Sequence, residues 1–264
     1  LAWVPRRAGD RGAVDAGLLP GLLPNGNLLT DQSAREKAAE IWAVEPSSLP
    51  QDAGRDFGAI VHAANNGEIK ALLITSVDVA DTQHSASTIQ AIESTPFVVS
   101  LEIRPSSITE LANVVLPVAV VTEKAGTFVD WEGRTRNFSQ AIREHNKLTD
   151  ARVLAMIADA MDVIVGHQDV AQLRAELAQF AAPTTRVAAP SHGADVPNGL
   201  TLSTWHQLID DGALQEGEPF LAATSRNVIA GIHPNTAAKH SISEGDLVEV
   251  STSLGSISVE AVFV

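Results

Sequence analysis

Three short apolar runs decide the fold of this chain: Ile69-Lys70-Ala71-Leu72-Leu73-Ile74-Thr75, Phe97-Val98-Val99-Ser100-Leu101 and Val114-Val115-Leu116-Pro117. The first has strand length and little polar alternation, the pattern of a strand buried on both faces in a parallel sheet, and the other two read as strands. Between the first two, Ser85 to Glu93 places Ile89 and Ile92 at helical spacing. Between the second two, Ser107 to Ala112 reads as a short helical turn. Strand, helix, strand, helix, strand at these lengths predicts an α/β fold with a doubly wound parallel sheet.

Working outward, a helix over roughly 54–66 precedes the first strand. Phe57, Ile60, Val61 and Ala64 form its apolar stripe, and Asn66-Gly67 stops it. Asp31 caps an earlier helix that presents Ala34, Ala38, Ile41 and Trp42, with Pro46 beyond its end. Residues 1–30, rich in Gly and Pro, read as irregular connecting chain. Downstream, Thr149 and Asp150 cap a helix with Val153, Met156, Ile157, Ala160 and Met161 inward. Asp169 begins another that presents Val170, Leu173, Leu177 and Phe180. Ala181 to Asn198 holds three prolines and few apolar anchors, which marks a linker. In the tail, Leu247 to Val250 and Ser256 to Val262 alternate and meet at Leu254-Gly255, a hairpin signal. The tail therefore reads as a small β domain. Trp42, Trp131 and Trp205 are expected to anchor packing.

Charge and composition exclude several functions. The 264 residues carry 18 Lys+Arg and 32 Asp+Glu, a formal charge of −14. That balance opposes nonspecific binding to nucleic acid or to an anionic membrane. The apolar stretch Val114 to Val121 is broken by Pro117 and is far short of the ~20 residues a membrane span needs. The chain has no cysteine, so it offers no disulfide, thiolate metal site, cysteine nucleophile or cysteine-ligated cluster. It opens at Leu1-Ala2-Trp3-Val4-Pro5, with no initiator Met and no basic leader, as though cut from something longer.

The most distinctive segment is Glu123-Lys124-Ala125-Gly126-Thr127-Phe128-Val129-Asp130-Trp131-Glu132-Gly133-Arg134. It follows the third strand, and ligands of open parallel sheets bind at the C-terminal ends of strands. Glu123, Thr127 and Arg134 offer an acceptor, a hydroxyl and a charge-assisted donor. Gly126 and Gly133 permit close approach or positive φ. Two readings stay open: a ligand-holding loop, or a polar turn in which Glu123 or Glu132 pairs with Arg134. Asp78 and Asp81 follow the first strand, where capping is the favoured role. The eight histidines show no i, i+4 metal spacing and read as surface or packing residues. No serine sits in a nucleophile elbow, and there is no phosphate-binding glycine motif.

These residues resemble a known family. Leu111-Ala112-Asn113-Val114-Val115-Leu116-Pro117, then Glu123 to Phe128, then Glu132-Gly133-Arg134, are similar to the pattern of the molybdopterin oxidoreductase superfamily. Ile242 to Val250 with Gly255 is similar to that superfamily's C-terminal double-psi β-barrel. The resemblance thus divides the chain into an α/β domain over 1–185, incomplete at its N-terminus, a linker over 186–199 and a β-barrel domain over 200–264. Within the superfamily, residues 3–13, 18–24, 204–212 and 214–219 resemble the large iron–sulfur subunits of bacterial NADH-quinone oxidoreductases, respiratory complex I, of actinobacterial type.

That resemblance implies a C-terminal scaffold part of an electron-transferring complex. It implies no catalytic residue, no metal ligand and no cofactor in this chain, with iron–sulfur clusters in a missing N-terminal part. The implied partners are other peripheral-arm subunits, on the cytoplasmic side of the plasma membrane. The alternative is the C-terminal half of a molybdenum-dependent formate dehydrogenase or nitrate reductase. Then Glu123, Gly126, Thr127 and Arg134 would hold a pterin guanine dinucleotide. The chain departs from the enzyme pattern at Asp130, where the family has Asn, and at Arg136, where it has Gln. An added carboxylate at Asp130 would repel a pyrophosphate. His240 and Ser241 also depart from the barrel pattern, which has Leu and Gly there.

Overall fold

The computed structural model describes residues 9–82, 84–143, 147–166, 169–181, 199–205, 207, 209, 215–252 and 255–264. In chain order the elements are α1 Asp10–Asp15, β1 Leu22–Leu23, β2 Asn27–Leu28, α2 Gln32–Trp42, α3 Phe57–Asn65, β3 Ala71–Thr75, α4 Ser85–Ser94, β4 Phe97–Glu102, α5 Ser107–Leu111 and β5 Val114–Pro117. There follow β6 Gly126–Val129, β7 Thr135–Phe138, α6 Asp150–Ala160, α7 Val170–Leu177, α8 Pro219–Ala222, β8 Ile229–Ile232, α9 Pro234–Lys239, β9 Leu247–Thr252 and β10 Gly255–Phe263. The chain divides into two compact units, Leu1–Ser191 and His192–Val264. The linker expected over 186–199 lies, but for Gly199, outside the described residues.

In the first unit β3, β4 and β5 form the parallel sheet in that order. The helices begin where short polar side chains satisfy free N–H groups. Asp31 accepts from Ser33 and Ala34 N–H, Asp56 from Ala59, Thr149 from Arg152, and Asp169 from Ala171 and Gln172. Asp78 caps too, but it caps the short turn before α4 and not α4 itself, accepting from Ala80 N–H at 3.0 Å. Asn113 fixes the β4–β5 pairing: its side chain accepts from Val98 N–H at 2.6 Å and its own N–H donates to Val98 O at 2.9 Å.

Helices pack on both faces of the sheet. On one face Leu72, Ile74 and Val98 meet Ile92 of α4 and Ile108 of α5. On the other Val99, Leu101 and Leu116 meet Val153 and Ile157 of α6. Burying Leu101 and Val98 contributes about 1.5–3 kcal/mol each.

Several expectations are corrected. β3 is not buried on both faces, because it is an edge strand whose outer residues α6 does not cover, and Leu73 is 52% exposed. Residues 1–30 are not wholly irregular: α1 and the small β1–β2 pair form there, with Leu23 and Leu29 packed on Ala38 and Phe180. Met156 and Met161 are not inward, since α6 buries Val153 and Ala155 instead. Trp131 and Trp205 are exposed and anchor no core.

In the second unit β8, β10 and β9 form an open three-stranded sheet. β8 runs parallel to β10, and β9 antiparallel to it. The residues expected to join β9 to β10 include Leu254, outside the described set. Ala237 and Ala261 are its buried apolar residues among those described.

Candidate functional site

Glu123 to Arg134 is not a loop. After a single 3₁₀ turn over Val121–Glu123, the chain makes an antiparallel hairpin of β6 and β7. Glu123 sits at its base, nearly buried. Its carboxylate accepts from Val120 N–H at 3.2 Å and stands 4.0 Å from Lys147 Nζ. Lys124 reaches Asp150 at the start of α6, 2.6 Å away. The expected pairing of Glu123 with Arg134 is therefore not formed.

Gly126 and Thr127 are held from two sides. The Phe138 ring lies over Gly126, where a Cβ would come within 2.5 Å of it. Phe138 also stacks on Phe128, with ring centroids 4.6 Å apart. The Thr127 hydroxyl donates to Asn137 Oδ1 at 2.8 Å and accepts from Arg174 Nε at 2.9 Å. Arg174 of α7 donates a second bond to the Gly126 carbonyl. Sequence reasoning missed Arg174, for it lies 48 residues from Gly126 on a different helix and no local pattern announces it.

Asp130 organises the tip. Its Oδ1 accepts from Glu132 N–H at 3.0 Å and Arg134 N–H at 2.8 Å, and its Oδ2 from Arg134 Nε at 2.9 Å. Glu132 pairs with Arg134 as well, as the polar-turn reading expected. The Arg134 backbone N–H is the main cause holding the Asp130 carboxyl below its ordinary value. Desolvation opposes the shift, and the Arg134 and Arg136 guanidinium groups reinforce it. Gly133 adopts φ +85°, the left-handed turn position, against the Arg11 side chain.

The four residues expected to hold a pterin dinucleotide thus lie on one hairpin but do not fit that task. A pyrophosphate needs exposed N–H groups and uncompensated cations. Here the Arg134 charge is offset by two carboxylates, Thr127 is bonded twice, and the open edge of Gly126 is filled by a ring. Elsewhere in this unit a cavity of about 790 Å³ lies between Leu18–Pro20, the first turns of α3 and the start of α4. It is lined in part by His62 and His84, and by none of the four. Among the described residues no three His, Cys, Asp or Glu side chains gather as a metal site, and no helix is long and apolar enough to cross a membrane.

The chain is similar in sequence to several known proteins. The family model for molybdopterin oxidoreductase matches residues 12–152. The NADH-quinone oxidoreductase G subunit of Streptomyces coelicolor is 43% identical over 97% of this chain and 32% of its own length. The corresponding G subunit of Mycobacterium bovis is 44% identical over 98% of this chain and 33% of its own. A putative formate dehydrogenase of Bacillus subtilis is 36% identical over 50% of this chain and 13% of its own. The chain therefore spans about a third of the length of these NADH-quinone oxidoreductase relatives.

Proposed function

The chain belongs to the molybdopterin oxidoreductase family, and from that premise we propose that it is a non-catalytic scaffold part of the iron–sulfur subunit of an NADH-quinone oxidoreductase. The whole protein would pass electrons from NADH through iron–sulfur clusters toward quinone. This part would pack against the cluster-bearing region and neighbouring peripheral-arm subunits, on the cytoplasmic side of the plasma membrane. It would carry no cofactor.

The observation that carries this reading is the internal use of the family motif. Asp130, Glu132, Arg134 and Thr127 bond to one another, to their own strands or to α7. A loop built to hold a dinucleotide keeps such groups for its ligand. The identity to the actinobacterial NADH-quinone oxidoreductase relatives over nearly the whole chain supports the same reading. We take the second unit to belong to a double-psi barrel. The strand, helix and hairpin of β8, α9, β9 and β10, with β8 parallel to β10, support that assignment.

The test is molybdenum and tungsten content per protein in the full-length parent, purified from its own membranes. The expected result is no stoichiometric metal in a preparation that still oxidises NADH. Stoichiometric metal would overturn the scaffold reading and favour a formate dehydrogenase or nitrate reductase with Glu123, Gly126, Thr127 and Arg134 at its cofactor.

A further inference from the structure

α7 has eight residues, too few for a helix to persist alone in water, and none of the eight is buried. It is held instead by particular side chains. Arg174 donates to the Thr127 hydroxyl and the Gly126 carbonyl of β6. Just past the last turn, Phe180 is 5% exposed and is buried with Leu23, Leu29 and Ala38. Two asparagines donate to the carbonyls that end this turn. Asn25, between β1 and β2, bonds Phe180 O, and Asn27, at the start of β2, bonds Ala181 O at 3.0 Å. Trp42 of α2 donates its Nε1–H to Glu176 at 3.1 Å, and its ring lies 5.6 Å from that of Phe180. The attachment of α7 is thus one buried ring and a set of side-chain hydrogen bonds. β4, by contrast, buries Val98, Ser100 and Leu101 within the sheet. A segment held as α7 is opens before such a core does.

We propose that α7 and the turn through Ala181 form a detachable strap, which closes by seating Phe180 beside Leu23, Leu29 and Ala38 and in closing orders the β6–β7 hairpin through Arg174. The two anchors lie on one short helix and its last turn, so neither engages fully without the other. Seating the ring sets the guanidinium against β6, and bonding the guanidinium to β6 brings the ring to its seat. Both sites therefore bias one two-state element, and their coupling is reciprocal. Opening uncovers Leu23, Leu29 and Trp42 and takes Arg174 from the Thr127 hydroxyl and the Gly126 carbonyl. The order of the hairpin that carries the family motif is in this way tied to contacts made by the first thirty residues. The device goes beyond the scaffold reading and does not depend on it.

The experiment follows amide hydrogen exchange by mass spectrometry in the purified full-length protein. Amides of α7 are expected to exchange at least about a hundredfold faster than those of β4. Phe180→Ala, which removes the seated ring, raises exchange at least about tenfold in α7 and in β6–β7 alike, and leaves β3, β4 and β5 unchanged. Phe180→Leu recovers most of that loss. Asn27→Ala is the milder variant: it loosens α7 and the hairpin together by a smaller factor. Arg174→Ala tests the reverse direction, and speeds exchange in α7 and over 178–181. Amides of α7 that exchange as slowly as those of β4 overturn the strap. Phe180→Ala and Asn27→Ala proteins that loosen α7 while β6–β7 keeps its protection overturn the coupling. Loss of protection in β3, β4 and β5 equal to that in α7 would show that the helix opens only with the whole unit, and overturns the proposal as well.

Discussion

The ring of Phe138 occupies the place where Gly126 would carry a side chain: a Cβ there would lie 2.5 Å from Cζ and 2.7 Å from Cε1. Gly126 is thus kept free of a side chain by its own hairpin partner. Gly126→Ala must push the ring aside and disturb its stacking on Phe128. Because the obstructing atoms are the far end of a side chain, the cost is moderate, about 1–2 kcal/mol in urea unfolding. Phe138→Leu should absorb part of that cost. A double-mutant cycle in which the two changes simply add would contradict the contact.

Arg174 clamps the hairpin from α7 through two points, the Thr127 hydroxyl and the Gly126 carbonyl. Only a planar fork reaches both. Arg174→Ala is expected to cost about 1–2 kcal/mol, and Arg174→Lys to recover less than half of it. Amide exchange provides a local check. Protection should fall first in β6 and β7, while the β3–β4–β5 sheet keeps its own. Uniform loss across the unit would mean that Arg174 supports something other than the hairpin.

How far the sequence reaches can be judged from these residues. The parallel sheet was legible because Leu72, Val98, Leu101 and Leu116 sit in short apolar runs separated by helical spacing. The caps at Asp31, Thr149 and Asp169 were legible because the polar residue lies next to the helix it starts. Met156 was misread because periodicity gives a stripe and not the neighbour that covers it. Of the candidate site, Glu132 with Arg134 was legible as a local ion pair. The hairpin itself was not, since β6 and β7 are four residues each and their polar residues mimic a loop. Phe138 over Gly126, and Arg174 from α7, are tertiary facts with no local signature.

Asp130 sets a pH dependence whose sign follows from its contacts. Its carboxyl lies below the ordinary Asp value of 3.8, chiefly because it accepts from Arg134 N–H. The unfolded chain therefore binds this proton at a higher pH than the folded hairpin does. The group's contribution is present above the ordinary value and is lost as pH falls through the folded value. An NMR titration of the Arg134 amide should show a midpoint below 3.8. In Asp130→Asn that acid transition should vanish. A midpoint at or above the ordinary value would remove Asp130 as the organiser of the tip.

The two tip residues should not be equivalent. Asp130→Ala removes the acceptor for Glu132 N–H, Arg134 N–H and Arg134 Nε together. Arg134→Ala removes one guanidinium but leaves its backbone N–H to bond Asp130 as before. Arg134 is also 63% exposed, where an ion pair is screened and contributes little. Asp130→Ala should therefore lower the thermal midpoint more than Arg134→Ala, and more strongly reduce incorporation into the assembled complex. Turnover per assembled complex should stay unchanged in both, because neither side chain is proposed to touch a reacting group. The measurement is NADH-dependent quinone reduction normalised to the iron–sulfur content of purified complex. An Arg134→Ala complex that assembles normally yet loses turnover would place Arg134 in the chemistry and end the scaffold reading.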